Sequence, residues 1–595
     1  MLPFMRARNS LHTYTITNFG GIDPSYSNKA NEPTDAVNMT SRNYPALSSR
    51  KRESIVRVSD REICTAGFFN KLYTVEKSAG ENTGLYLCTE NSETLISDNS
   101  IGEGTAGEHT MEFMKDQILL IPENVIYHTK TSSVEKCCVS ETTTRESALE
   151  KFESESLTTD NMPMPYNTWY SGYITGNSFV SMQANYKKSS SSYTFYHFGL
   201  SDEFEAGDIV TLKMEVKAIE VVQDNAYIQY RKKMKNGITV KIKDVVKTNH
   251  ETPMGRISEI TSLIFDDNAI DMGGYDEVFV FDITVEKGIP NFSDICSFEN
   301  RMWGITNEEI HASKLGDPSI WDDFSADSYG TLPSSCFRTG VESDGVFTAI
   351  TSYNGNVVAF KEDCFYKIYG NQPEEYRLSR FNFPGVRSGC KKTLAVSGGC
   401  LFYMGKGGIY RYNGSSVKLV SSELELSRFE AKCAGADERF YYIILCSDTE
   451  EFIFVYDTLY GIWHKINSPQ KANSIVCTDS CVICTTENSV TKLESGDWGE
   501  WSFVLAFAKR EFSSKHIFSL GIRYDLAEGA SVTIKLKNKH GTITLAQICE
   551  KGKNKLLKLC LSVNCSEDAD LIFEGNGEFT LSSLKLNYKE TEINN

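Results

Sequence analysis

Three cysteines, Cys477, Cys481 and Cys484, have a spacing found where thiolates hold iron–sulfur clusters. Here they stand in short apolar strand-like runs, Ile475-Val476-Cys477 and Cys481-Val482-Ile483-Cys484, with no glycine-rich binding loop beside them. That setting predicts packed thiols. Gly102-Glu103-Gly104-Thr105-Ala106-Gly107 matches the glycine pattern of a dinucleotide-binding turn. The pattern works only between a strand and a helix, whose N-terminus faces the pyrophosphate. The residues that follow, Glu108-His109-Thr110-Met111, enter a hairpin, so these glycines are expected in a connecting loop. Gly405-Lys406-Gly407-Gly408 lacks the spacing and the following Ser or Thr of a phosphate loop and reads as a hairpin turn.

Histidines number nine, and no pair has the helical spacing of a metal site. His311 and His464 sit beside aromatic strands and are expected in packing. No Gly-x-Ser-x-Gly elbow occurs. Asp322-Asp323 and Glu374-Glu375 are adjacent acids, expected in solvent. The acids of a glycosidase must instead converge across a cleft. The expectation is therefore a chain that is not an enzyme, with no catalytic, cofactor-binding or metal-binding residues.

The elements that carry these residues repeat. Ser352-Tyr353-Asn354-Gly355-Asn356 leads into Val357-Val358-Ala359-Phe360, a polar turn, and Phe365-Tyr366-Lys367-Ile368-Tyr369. The pattern returns as Ser397-Gly398-Gly399-Cys400, Leu401-Phe402-Tyr403-Met404, a turn, and Ile409-Tyr410-Arg411-Tyr412. Each copy is a β-hairpin by composition and spacing. A lone hairpin cannot bury its apolar face, whereas recurrence about every 40–50 residues marks propeller blades. Related units begin near Gly67, Met111, Ser297, Asp437 and Ser474, which makes seven. Phe360 and Tyr366 then read as blade core.

The rhythm stops between Cys137 and Gly288, where longer strands such as Asp208-Ile209-Val210-Thr211-Leu212 predict a different β domain. It stops again after Ser495, in alternating runs such as Ser531-Val532-Thr533-Ile534-Lys535-Leu536. The expected class is all-β: a β-propeller of six to eight blades, best counted as seven, with an inserted β-sandwich or barrel and a C-terminal β-sandwich. The expected domains are 1–136, an extended lead-in (about 1–60) and the first blades; 137–288, the insertion; 289–496, the remaining blades; and 497–595, the C-terminal sandwich.

The 595 residues are 40% hydrophobic and 24% charged, an ordinary globular balance. The net charge of −18 argues against a protein that coats DNA, which needs Lys and Arg to replace phosphate counterions. No signal-peptide core or 20-residue apolar span is present, and the 17 cysteines suit a reducing compartment. The expectation is synthesis in a cytoplasm without a membrane-spanning segment.

Residues 289–466 resemble a family of bacteriophage virion proteins. The resemblance is carried by Asn300-Arg301-Met302-Trp303-Gly304, Ala312-Ser313-Lys314-Leu315-Gly316-Asp317-Pro318, Trp321 and Phe360-Lys361-Glu362. It continues through Ile368-Tyr369-Gly370-Asn371-Gln372-Pro373, Gly385-Val386-Arg387-Ser388-Gly389, Gly408-Ile409-Tyr410-Arg411-Tyr412-Asn413-Gly414, Val455-Tyr456-Asp457-Thr458 and Trp463-His464. Asn43-Tyr44-Pro45-Ala46-Leu47-Ser48-Ser49-Arg50 adds to it. The wider group is similar to the β-propeller tail nozzle and head–tail stabilisation proteins of short-tailed phages. The resemblance implies a structural subunit, one of six in a homo-oligomeric ring around the DNA-ejection conduit. Its implied location is the virion tail, after synthesis in the bacterial host cytoplasm. Its implied partners are other tail or adaptor proteins, tail fibres, and genomic DNA passing without sequence-specific binding. It implies no cofactor. The alternative expectation is a virion propeller that binds host-surface glycans or receptors, and a third is a propeller enzyme such as a glycosidase.

Overall fold

The computed structural model describes residues 11–25, 29–78, 84–98, 109–143, 172–175, 178–181, 195–197, 206, 208–222, 225–233, 238–251, 257–265, 277–324, 333–341, 343–469, 471–478, 480–506, 513–539, 541–565 and 569–592. Among them there is no α-helix; three short 3-10 turns punctuate an all-β chain.

Four-stranded antiparallel meanders are the repeating element. They cover residues 62–98, 110–136, 294–340, 349–381 and 395–419, each made of consecutive strands. A sixth, 430–467, forms the first four strands of a nine-stranded sheet. A seventh takes three strands from 472–492 and its fourth, Ser54–Val58, from near the other end of the chain.

Their middle strands are buried on both faces and carry apolar runs, Met302-Trp303-Gly304-Ile305 within Arg301–Ile305 and Val357-Val358-Ala359-Phe360 within Asn356–Phe360. Where a tight reversal is needed the sequence supplies it. Asn354 (φ 50°) and Gly355 (φ 70°) form the two-residue turn between Ala349–Tyr353 and Asn356–Phe360, a geometry that Asn-Gly favours.

The meanders pack side by side in a propeller-like array. First strands of successive meanders touch: Glu62–Phe68 with Thr110–Met114, that strand with Asp294–Phe298, and Asp294–Phe298 with Ala349–Tyr353. Ala395–Ser397 touches Glu430–Ala436, which touches Ala472–Cys477, which returns to Glu62–Phe68. The fourth and fifth meanders are joined by Tyr353, whose hydroxyl donates to Gly399 O at 2.8 Å. Aromatic pairs fill the seams, Phe360 with Tyr403 at 5.2 Å and Phe402 with Tyr441 at 5.1 Å between ring centroids. Phe360 and Tyr366 are buried core residues.

Between the second and third meanders the chain departs into the inserted domain. Cys138–Thr143 leaves and Glu277–Gly288 returns, paired antiparallel from Cys138↔Gly288 onward. The described strands of this region form one nine-stranded network.

The first residues differ from an extended lead-in. Leu11–Ile16 pairs with Phe579–Glu592, and Leu47–Ser49 pairs with the same long strand. The C-terminal sandwich is thus built from both ends of the chain. Asp35–Val37 goes further: it pairs parallel with the sixth meander at Val37↔Lys465 and antiparallel with Glu500–Ala506 of the sandwich at Asp35↔Val504. One sheet therefore runs from the sixth meander into the sandwich, and one hydrophobic core runs from Phe360 through Tyr441 and Trp463 to Phe503 and Phe573. Among the described residues no helix is long and apolar enough to cross a membrane.

Candidate functional site: the axial channel

First strands of six meanders converge on one cavity. Thr65, Glu112, Asp294, Thr351, Cys433 and Ser474 line this cavity of about 310 Å³, each from a different meander, with the turn at Lys391 completing the wall. Burying polar groups in such a place costs free energy unless partners are supplied, and the channel supplies them across meanders. Glu112 Oε1 accepts from Ser297 N at 2.9 Å and Ser297 Oγ at 3.0 Å. Asp294 Oδ2 accepts from Ile350 N at 2.9 Å. Lys391 reaches over the second and third meanders, donating to Thr110 Oγ1 at 3.0 Å and Ser293 O at 2.7 Å. Ser474 Oγ, buried in the wall, has no hydrogen-bond partner among the described residues.

Burial pushes the Glu112 carboxyl up to about 7; the Ser297 donors oppose the shift and the Asp294 charge adds to it. Glu112 can therefore exchange a proton near neutral pH. Beside the channel a wider mouth of about 690 Å³ opens between Cys64, His109 and Lys432. His109 Nδ1 lies 2.7 Å from Glu123 Oε1, both side chains buried. Burial opposes the charged imidazole, but its contacts with Cys64 and Glu123 outweigh this and hold its pKa up at about 9.

A second concavity, of about 860 Å³, lies between the fifth, sixth and seventh meanders and the N-terminal segment. Several of its charges are paired. Glu494 holds Arg50 and, at 2.7 Å, Arg42. Asp457, behind the wall, accepts from Arg439 Nη2 at 2.7 Å and from Ser41 Oγ.

The residues singled out in the sequence scatter. Cys477 and Cys481 face the second concavity, while Cys484 is buried in the core between the sixth and seventh meanders. Burial pushes the Cys477 thiol up to about 12 and the Cys484 thiol well above its ordinary value, opposite to what a metal ligand requires. No group of three metal-ligating side chains forms among the described residues. The glycines 102–107 lie outside the described residues. Lys406-Gly407 is the turn of a hairpin closed by Gly405↔Gly408, with Lys406 paired to Asp363.

His311 and His464 are buried, and burial lowers the pKa of each to about 4. Asp322 is exposed, as expected, and Asp323 half-buried; each is also paired, Asp322 with Lys287 and Asp323 with Lys314 at 2.5 Å. Glu374 and Glu375 are exposed on a 3-10 turn. Glu112 and Asp294 escaped sequence reading because their partners Ser297 and Ile350 come from neighbouring meanders, and the His109–Glu123 pair because it forms only when its own meander folds. The available signal was an acid inside an apolar run, Met111-Glu112-Phe113-Met114.

No protein-family model matches the chain, and no curated protein matches it. Among solved structures it is similar to the exo-β-1,3-galactanase of Phanerochaete chrysosporium with galactose, at 8% identity and a TM-score of 0.18, over 89% of this chain and 99% of that one. It is also similar to the acylaminoacyl peptidase of Pyrococcus horikoshii, at 10% identity and a TM-score of 0.24, over 75% of this chain and 57% of that one. The expectation that the chain is not an enzyme is corrected by these findings: both neighbours are enzymes, so that exclusion is withdrawn. Likeness at this level assigns this chain no activity of its own.

Proposed function

We propose that this chain is a structural subunit of a bacteriophage tail, a nozzle, hub or head-to-tail adaptor, assembled as a ring of six around the DNA-ejection conduit. In this reading the seven meanders are the seven blades of one closed propeller. Ser54–Val58 completes the last blade, so that a strand from before the first blade locks the ring.

The observation that carries the reading is the sheet that passes through Asp35–Val37 from the sixth meander into the sandwich. A conduit under load needs rigid subunits, and a shared sheet transmits force through a row of main-chain hydrogen bonds instead of a hinge. Six such rigid wedges can close a ring through one repeated heterologous interface. Among the residues of the phage-like resemblance, Trp303, Trp321 and Trp463 are buried.

Electron microscopy of the purified protein and of virions tests the proposal. The expected result is a sixfold ring, with antibody to this chain decorating the tail axis. A protein that stays monomeric at all concentrations and is absent from virions overturns it.

A further inference from the structure

The C-terminal sandwich leaves one sheet face uncovered. Leu11–Ile16, Phe579–Glu592, Ser513–Leu526 and Gly552–Cys565 lie side by side in this sheet, in that order. One face packs on the core through the buried Ile522, Leu584 and Leu586 and the half-buried Leu557 and Leu559. Residues at the alternate positions point the other way. Among them Arg523, Lys558 and Lys585 are exposed, and Lys589 is half-buried, held over the Phe518 ring at 5.4 Å from its centroid. Register gathers the first three: Gly521 stands opposite Lys558 on one side and Lys585 on the other, and Arg523 is the next outward position on the glycine's own strand. From the row of Arg523 to the row of Lys589, no outward position holds an acidic residue. Asp525, past the end of this stretch, accepts from Asn554 N at 2.6 Å. A merely solvated surface interleaves both signs, and this chain has 79 acidic residues against 61 basic ones. The outer sheet face is thus a concentration of positive charge on a molecule of net charge −18.

Between the charges the face is polar and already ordered. Thr13 Oγ1 donates to Asn587 Oδ1 and Asn587 Nδ2 to Ser519 Oγ, each at 2.7 Å, so one amide is fixed by hydroxyls from the strands on both sides. Gly521 has no side chain, which leaves a backbone-floored slot between Lys558 and Lys585. A Cβ built there meets nothing closer than 3.8 Å.

We propose that this face binds an acidic polysaccharide, a chain of sugars in which a carboxylate recurs on every second unit. Charge complementarity calls for a polyanion, and the spacing of the cations selects which kind. Lys558 and Lys585 are two strand separations apart, about 10 Å, and Lys585 and Lys589 are four residues apart along one strand, about 13 Å. A DNA duplex brings a charge every ~1.7 Å of its axis, and most of these would be left to face the acidic remainder of the chain. A sparsely charged polymer can match the basic side chains one to one. Its sugar hydroxyls then meet the Thr13, Ser519 and Asn587 groups that lie between them, and the slot at Gly521 lets a sugar ring approach the backbone. Every residue of this surface belongs to one copy of the chain, so binding does not depend on a ring.

Calorimetric titration of the full chain with a hyaluronan decasaccharide, which has one carboxylate per disaccharide, tests the proposal. The expected result is saturable binding at about 0.05 M salt that weakens at least about tenfold at about 0.5 M, where exposed charges are screened. Neutral dextran of equal length should not bind, and a short DNA duplex should bind at least about tenfold more weakly than hyaluronan. Lys558→Glu combined with Lys585→Glu should lose at least about tenfold in affinity. Lys130→Glu combined with Lys471→Glu, at exposed lysines outside the sandwich, should leave it unchanged. Gly521→Leu fills the slot and should weaken binding while the melting temperature holds. The proposal is overturned if hyaluronan does not bind, if dextran or DNA binds as well as hyaluronan, or if both lysine pairs have the same effect. The three wild-type titrations need no variant to fold, and their outcome is separate from whether the chain assembles into a ring.

Discussion

Glu112 shows how one side chain can set the pH response of this protein. Its carboxyl titrates at about 7 in the folded chain, against an ordinary value near 4.3 in the unfolded one. Between those values the folded state binds the extra proton, so stability falls as pH rises through the window and the loss is complete above about pH 7. Glu112→Gln keeps an oxygen for the Ser297 donors and removes the charge. Its melting temperature should match wild type at pH 5 and exceed it at pH 8.5, by about 1–3 °C for a chain of this size. Equal melting temperatures at both values would show that Glu112 is not held protonated. His311 and His464 act with the opposite sign. Each takes its proton at about 4 when folded and near 6.5 when unfolded, so stability is lost as pH falls through that range. Replacing Phe360, fully buried between Phe365 and Tyr403, tests packing at the same scale. Phe360→Ala should cost about 3–5 kcal/mol in denaturant unfolding, and a cost under about 1 kcal/mol would mean that the seam does not depend on this ring.

At the scale of elements, legibility followed burial. The middle strands, such as Phe440–Cys446 and Asn356–Phe360, are buried on both faces, so their sequences are apolar runs that announce themselves. The outer strands have one face in solvent: Arg377–Phe381 and Ser133–Lys136 mix charged and apolar residues over four or five positions, too short for an alternation to stand out. Ser54–Val58 is apolar enough to read as a strand, but nothing local names its partner, Ser489–Lys492. The channel was illegible for the same reason. Glu112 and Ser297 lie 185 residues apart, with the whole inserted domain between them. Turns were legible because their residue types carry the backbone requirement. At Gly355 a side chain would have open space but the wrong φ. Gly355→Val should therefore destabilise the protein by about 1–2 kcal/mol through backbone strain alone. Gly355→Asn, compatible with this φ, should cost less. Equal costs for the two variants, measured by chemical denaturation, would place the penalty elsewhere.

At the scale of the whole molecule, propeller-like array and sandwich share both a sheet and a core, which makes them one cooperative body. The link is narrow. Asp35–Val37 is three residues long, yet it pairs on both sides, with Lys465 opposite Val37 on one and Ser502, Phe503 and Val504 on the other. Ala36 is buried and faces Phe503 across the ladder. Proline at this position would remove the amide hydrogen and crowd the adjacent strand, and a strand with partners on both sides tolerates neither. The wild-type chain should therefore show a single calorimetric transition for array and sandwich together. Ala36→Pro should split it in two, with the sandwich melting first because it also loses the register of Leu47–Ser49 beside the last strand. If Ala36→Pro leaves one transition at the wild-type temperature, the shared sheet is not what couples the two parts. The force-transmission argument for a conduit subunit would then lose its footing, because a body that hinges between array and sandwich cannot serve as a rigid wedge of a closed ring.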